Sequence, residues 1–370
     1  MDFVLLVASL AIILVAAELF TNGIEWFGRS LNLAEGAVGS VLAAVATAMP
    51  ETLIPIIAIL GPVFVGGNPE TSHAIGVGAI LGAPFMLSTL AMFVTGTAIL
   101  IFARRGGRST QMRVNTRVLG RDVGFFVVGY TIAIGTAFLP AEVGWLRWIV
   151  ALLLFAIYAF YVRLHFTDEA GENEGEDELN RLHLTRLPGI EPAPAVDIDI
   201  LPGEIDAWER PGVEPGMRII VSQVVLALAL IIVGAQVFVG AVEHLSLQIG
   251  LDPTILALVI APIATELPEK FNSVLWVRSG KDTLAMGNIT GAMVFQSCLP
   301  TVLGLLFTTW AFTPETAINF ASAGVAFLAV FLIFGSMLRR GRLSAWTLLI
   351  GGPLYLIYIY LALFTPLGAG

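Results

Sequence analysis

The sequence has little charge, one cysteine and four histidines. Charged residues make up 13% of its 370 residues and hydrophobic residues 57%, with a mean hydropathy of +0.87, whereas soluble domains carry about 25% charge. The single Cys298 excludes an intramolecular disulfide and a cysteine metal cluster, so we expect a small apolar helix residue there. No histidine falls in the middle of an apolar run. The His/Glu metal centre of an intramembrane hydrolase therefore cannot form, and we expect no enzyme.

Long apolar runs recur along the whole chain instead. Runs of about 18 or more apolar residues are long enough to cross a bilayer, and they predict an all-α polytopic membrane protein. The first run follows Met1-Asp2 without the basic region of a signal peptide, so we expect a retained helix. The ten predicted spans are 3–20, 37–60, 74–102, 123–141, 144–163, 218–241, 253–277, 283–308, 316–338 and 344–364.

The basic residues divide unevenly between the two sides of this topology. With the amino terminus outside, 17 of the 19 lysines and arginines fall in segments on one side. Arg147 is on the other side, and Lys270 lies within a span. Because cytoplasmic loops are enriched in lysine and arginine, we expect a cell-membrane protein with both termini outside.

One hydrophilic segment, 164–216, separates the first five spans (1–163) from the last five (217–370). It holds 14 of the 28 acidic residues and several prolines, which predicts a flexible cytoplasmic linker. A regulatory cation site among its carboxylates is the alternative, although no spacing resembles an EF-hand loop.

The two halves repeat one another at a fixed offset of 218 residues. Residues 17–51 and 235–269 are identical at ten of 35 positions, including Glu25/Glu243 and a Thr-x-x-Pro-Glu motif at Thr47–Glu51 and Thr265–Glu269. An odd number of spans in each half inverts the second copy, and inverted repeats with interrupted helices are typical of secondary transporters. We therefore predict two inverted five-helix repeats with broken second and seventh helices.

The repeated motif places hard oxygen ligands at membrane depth. Pro262, Thr265, Glu266 and Glu269 share one helical stripe, and Ala44, Thr47 and Glu51 share the corresponding one. Proline frees helix carbonyls, and these oxygens with hydroxyls and carboxylates suit sodium, calcium, magnesium or protons. We expect a cation site between Glu51 and Glu269. The alternative is two structural kinks whose carboxylates are hydrogen-bonded internally.

Several nearby residues have two interpretations. Glu266 and Lys270 are four residues apart and could pair, or Lys270 could supply a fixed charge in place of a coupling ion. The third helix of each half carries Gly78-x-x-x-Gly82 or Gly287-x-x-x-Gly291, which lets helices approach closely and complete the site. On the second of these helices, polar residues could contact the ion or bond to other helices; they are Asn288, Thr290 and Gln296.

At these motifs the sequence resembles the cation/calcium exchanger superfamily, the sodium/calcium exchanger-like membrane antiporters. The resemblance implies a ten-helix antiporter that exchanges calcium for sodium or protons. Glu51 and Glu269 would be the central cation ligands, surrounded by Thr47, Thr265 and the carbonyls of Ala44 and Pro262. The family motif is a duplicated Gly-Thr-Ser-x-Pro-Glu, and its serine position is Ala48 in one copy and Glu266 in the other. On the third helix of each half, the family's last polar or acidic position falls on Leu87 and on Gln296.

The sequence therefore predicts a secondary antiporter that works by alternating access, with calcium or another hard divalent cation exchanged for sodium or protons. The first and sixth helices are expected to slide across a fixed core. The expected partners are inorganic cations, as substrates, and the lipid bilayer; we expect no cofactor and no nucleic acid. The alternative is a non-transporting, cation-responsive membrane protein that signals through its acidic loop.

Overall fold

Ten long helices lie in the part of the chain described by the computed structural model, which comprises residues 2–31, 49–66, 68–106, 108–169, 182–186 and 215–364. They are α1 (Asp2–Ser30), α2 (Met49–Val65), α3 (Pro69–Arg104), α4 (Thr116–Gly135), α5 (Leu146–Glu169), α6 (Met217–Ile249), α7 (Pro253–Arg278), α8 (Asp282–Phe307), α9 (Ala317–Arg340) and α10 (Ala345–Phe364). A two-residue strand, β1 (Gln111–Met112), pairs antiparallel with β2 (Leu343–Ser344). Each predicted span overlaps one of these helices.

The described helices are apolar enough for a multi-pass membrane protein. Eight of them meet the length and hydropathy of a membrane span, and the other two, α2 and α7, contain the shorter apolar stretches Glu51–Val63 and Pro253–Ile263. Large apolar side chains such as Leu152 and Phe331 are more than 70% exposed, as expected where lipid covers them. Trp145, Trp148 and Trp346 are exposed at helix starts, where indole rings favour the membrane–water interface.

The helix ends differ most from the predictions in α1 and α6. These helices continue to Ser30 and Ile249, well past the predicted ends at residues 20 and 241. The predictions stopped where hydropathy fell, but the two helices pack along each other over much of their length. Gly23 and Gly234 allow this approach, since a Cβ on either would lie 2.8 Å from a side chain of the other helix.

The predicted break in the seventh helix is wrong. Helix α7 is continuous from Pro253 to Arg278, although it contains Pro262 and Pro268. A proline removes one hydrogen bond and bends a helix, but the turns on either side can hold the helical path. The predicted break in the second helix falls at residues 47–50. Residues 32–48 lie outside the described part of the chain, so this break stays a prediction. A five-residue π-helical turn, Leu87–Ala91, instead interrupts α3.

Part of the predicted linker is packed against the helices. Leu182 is 1% exposed, and the next four residues, His183–Arg186, form a 3₁₀ turn. The backbone N–H groups of His183 and Leu184 donate to the side-chain oxygens of Asn22 on α1 and Gln223 on α6. The predicted linker is therefore anchored to the α1–α6 pair at this turn. Its acidic and proline-rich tracts, 170–181 and 187–214, lie outside the described residues.

A buried ion pair joins the α3–α4 loop to the α7–α8 turn. Arg108 Nη2 lies 2.7 Å from Asp282 Oδ2, and their side chains are 11% and 3% exposed. Arg108 also donates to the Val277 carbonyl, and the Arg113 N–H donates to the same carboxylate oxygen at 2.8 Å. The loop is thereby held against the junction of two helices.

Removing one partner of this pair is expected to destabilise the protein. Arg108→Ala leaves the Asp282 carboxylate buried without its cation, and such a loss costs about 3 kcal/mol of unfolding free energy. Unfolding of the purified protein in detergent measures this. Arg105→Ala, at an exposed residue of the same loop, is the control and should change stability by less than about 0.5 kcal/mol. Equal effects of the two variants would show that the buried pair contributes no more than a surface arginine.

Candidate cation site

A small cavity lies where α2, α3 and α7 meet. Its lining residues are Glu51 and Ile54 of α2, Ala79 and Ala83 of α3, and Ala261, Pro262 and Thr265 of α7. Glu51 and Thr265 are 6% and 5% exposed. The two halves of the chain therefore bring a carboxylate and a hydroxyl from the repeated motif to one buried space.

Backbone chemistry adds to the polar character of this space. Pro55, one turn after Glu51, has no N–H to donate to the Glu51 carbonyl. Thr265 directs its hydroxyl hydrogen towards the Ala261 carbonyl of its own helix, at 3.2 Å, so its oxygen lone pairs remain available as ligands. The described part of the cavity thus combines one carboxylate with neutral oxygens, which is a ligand set for hard cations.

Close contact between α3 and α7 closes one side of the cavity. A Cβ at Gly78 or at Gly82 would lie 2.2 Å from the carbonyl oxygens of Thr254 and Leu258, respectively. Only glycine permits this approach, so the close helix packing predicted at Gly78-x-x-x-Gly82 is confirmed, and the helix it contacts is α7. Ala79 and Ala83, one residue beyond each glycine, point methyl groups into the same cavity.

Other predicted site residues lie outside the described part of the chain. Thr47 and Ala44 fall in 32–48, and α7 includes Glu269 and Lys270 by backbone only, since their side chains lie outside the described part. The proposed Glu266–Lys270 pair therefore remains a prediction. Glu266 itself is 1% exposed, although it is not among the described residues that line the cavity.

The polar residues of α8 are not brought to the cavity wall. Gln296 is 2% exposed and Asn288 is half-buried, and neither is among the described lining residues. Thr290 instead donates to Asp122 of α4 at 2.7 Å, which confirms interhelical hydrogen bonding as its role. Cys298 is buried among apolar side chains, as predicted.

The sequence reasoning missed Asp122. The predicted fourth span began one residue later, at 123, because an acid next to Arg121 resembles the charged end of a helix. In the structure Asp122 is fully buried, two turns inside α4. Its signal in the sequence was its position between Leu119 and Phe126, which are also buried and which share its helical face.

The arrangement defines a class of protein: a multi-pass helical membrane protein with a cavity between its two halves that is lined by one carboxylate and one hydroxyl among apolar side chains. The profile of the sodium/calcium exchanger protein family matches residues 1–167 and 219–364. The chain therefore belongs to the sodium/calcium exchanger protein family, a family of cation antiporters.

Individual relatives and solved structures agree with this family. The chain is 22% identical over 370 residues to the "Putative antiporter CaxA" of Alkalimonas amylolytica, covering 96% of this chain and 98% of that one. It is 22% identical over 301 residues to the inner membrane protein YrbG of Escherichia coli, covering 81% and 78%. Among solved structures, the H⁺/Ca²⁺ exchanger CAX matches with a TM-score of 0.69 at 15% identity, covering 98% of this chain and 82% of that one. The sodium–calcium exchanger NCX_Mj matches with a TM-score of 0.54 at 16% identity, covering 98% and 99%.

Proposed function

We propose that this protein exchanges calcium, or another hard divalent cation, for protons or sodium at the cavity between α2 and α7. The observation that carries the proposal is that Glu51 and Thr265, from the two copies of one motif, line the same buried space. The alternative of two purely structural kinks would explain the prolines. It does not require the carboxylate of one half to face the hydroxyl of the other.

The ligands follow from the repeat. Glu51 and Glu269 are the central carboxylates, and Thr47, Thr265 and the carbonyls of Ala44 and Pro262 complete the coordination. Glu266 on α7 is an outer candidate, and so are Asn288 and Gln296 on α8. Two carboxylates make binding pH-dependent, because a protonated glutamate no longer attracts a metal ion.

Alternating access follows from the inverted repeat, whose two five-helix halves cross the membrane ten times. Helices α1 and α6 slide together across α2, α3, α7 and α8, opening the cavity to each side in turn. The extensive α1–α6 contact and its glycines support a pair that moves as a unit. The arginine-rich loops are assigned to the cytoplasm, with both termini outside the cell membrane.

The wall of the cavity favours protons as the counter-ion. Ala79 and Ala83 present methyl groups on α3, and Leu87 continues the apolar face one turn later. Sodium needs several neutral oxygens around each ion, whereas a proton needs only a carboxylate. The similarity of fold to the H⁺/Ca²⁺ exchanger CAX is consistent with this choice.

Flux measurements in proteoliposomes test the proposal. Calcium uptake should be driven by an outward proton gradient, and more weakly or not at all by an outward sodium gradient of the same size. Magnesium should compete with calcium for uptake only if its smaller, more tightly hydrated ion can enter the cavity. A sodium-driven flux that ignores pH would reverse the choice of counter-ion. The absence of any counterflow would favour a cation-responsive protein acting through its acidic loop.

A further inference from the structure

A second buried carboxylate lies away from the cavity, at the junction of three helices. Asp122 of α4 is 0% exposed, and its Oδ2 atom lies 2.7 Å from Thr290 Oγ1 of α8. The Tyr161 hydroxyl of α5 donates to its Oδ1 atom at 3.3 Å. Asp122 is about 9 Å along the axis from the start of α4, inside a membrane-span candidate. An ionisable side chain in such a position is costly and generally has a function.

Thr290 can satisfy both protonation states of this acid. Its single hydroxyl hydrogen has two acceptors within reach, Asp122 Oδ2 at 2.7 Å and the Met286 carbonyl at 3.1 Å. With the carboxylate ionised, Thr290 donates to it. With the acid protonated, Asp122 donates to the Thr290 oxygen, and Thr290 donates to Met286. Because no buried group loses its hydrogen bond, the proton can come and go without repacking.

The spacing of the oxygen atoms is that of a shared hydrogen. Asp122 Oδ2 and Thr290 Oγ1 lie 2.7 Å apart, which is the usual distance of an O–H···O hydrogen bond. Gly291 contributes on the same helix, since a Cβ there would lie 3.3 Å from the Tyr161 hydroxyl and would crowd it.

The charged neighbours of Asp122 come from every helix packed on α4. Its own helix supplies Arg121, which lies near Tyr161 and the Leu164 carbonyl. Helix α8 supplies Asp282, which is held by Arg108. The other described ionisable residues on these helices are Arg117 and Tyr130 of α4, Arg147, Tyr158 and Arg163 of α5, Cys298 of α8, and Arg339 and Arg340 at the exposed end of α9. An arginine therefore lies beside Tyr161, which is the second hydrogen-bond partner of the acid.

We propose that Asp122, with Thr290 and Tyr161, forms a proton-binding site distinct from the cation cavity. A proton from the solution at the arginine-rich end of the bundle binds to Oδ2, and the same bond breaks when the proton returns. No other group is consumed. Protonation reverses the donor and the acceptor of the Asp122–Thr290 hydrogen bond, which still links α4 to α8.

The test is pH-difference infrared spectroscopy on the purified full-length protein, which detects the carbonyl stretch of a buried protonated carboxyl group without any transport. Wild type should show a titrating band that Asp122→Asn lacks. Tyr161→Phe removes one donor to the ionised form, so the midpoint of that band should move to higher pH by about one pH unit. Thr290→Ser keeps the hydroxyl and should leave the titration near its wild-type midpoint.

Two results would overturn the site. One is a difference spectrum that Asp122→Asn leaves unchanged, and the other is a midpoint that does not respond to Tyr161→Phe. Tyr161→Phe retains the acid, so it still tests the site if Asp122→Asn does not fold. Because the readout needs no calcium flux, it separates this proposal from the exchange assigned to the cavity, which Glu51→Gln addresses.

Discussion

Replacing Glu51 with glutamine is expected to reduce cation exchange at least about 100-fold. Even the indirect supports of a metal ligand contribute about 10–100-fold to metal affinity, and Glu51 is the one carboxylate among the described residues of the cavity wall. Glutamine keeps the size and one neutral oxygen, so the change isolates the charge. Calcium uptake into proteoliposomes, scaled to the amount of folded protein, measures the effect.

Glu70→Gln is the matched control for this substitution. Glu70 is an exposed glutamate on the first turn of α3, so the same chemical change should alter exchange by less than about twofold. A Glu51→Gln protein that folds and exchanges at the wild-type rate would remove the carboxylate from the proposed mechanism. Glu269→Gln, tested in parallel, asks whether the second copy of the motif contributes equally.

Gly82→Ala is expected to separate α3 from α7 and to abolish exchange. The new Cβ would lie 2.2 Å from the Leu258 carbonyl oxygen and 2.8 Å from Pro262 Cγ, so the backbones must move apart. Overpacking within a helix pair costs about 1–3 kcal/mol when side chains can adjust, and a backbone atom cannot adjust so easily. We expect a loss of about 3 kcal/mol in unfolding free energy and a distorted cavity.

Gly124→Ala provides the comparison. Gly124 lies on α4, is exposed, and has open space where its Cβ would be. Alanine there should be neutral, or stabilising by up to about 1 kcal/mol, because it favours the helix. Unfolding of both variants in the same detergent distinguishes the steric effect from the general effect of a glycine-to-alanine change. If Gly82→Ala were as stable as Gly124→Ala, the close helix contact would not exist in solution.

The cation cavity was partly predictable because its signals are local and duplicated. Thr265, Pro262 and Glu51 share helical stripes that a 3.6-residue period reveals, and a repeated proline–glutamate pair in apolar sequence is rare enough to be noticed. Gln296 and Asn288 were placed at the site by analogy of position within the helix. The rotation of α8 decides where they point, and rotation depends on contacts with other helices.

The sequence by itself determined the membrane class, the helices and the twofold repeat, because hydropathy and identity at a fixed offset require no knowledge of distant contacts. Only the tertiary structure decided that α1 and α6 extend beyond their apolar stretches and that α7 continues through its prolines. The same holds for the turn at His183–Arg186, docked on Asn22 and Gln223, and for Asp122, enclosed between Thr290 and Tyr161. The turn and Asp122 depend on polar groups from helices far apart in the chain meeting where water is excluded, and the sequence does not show which distant groups meet.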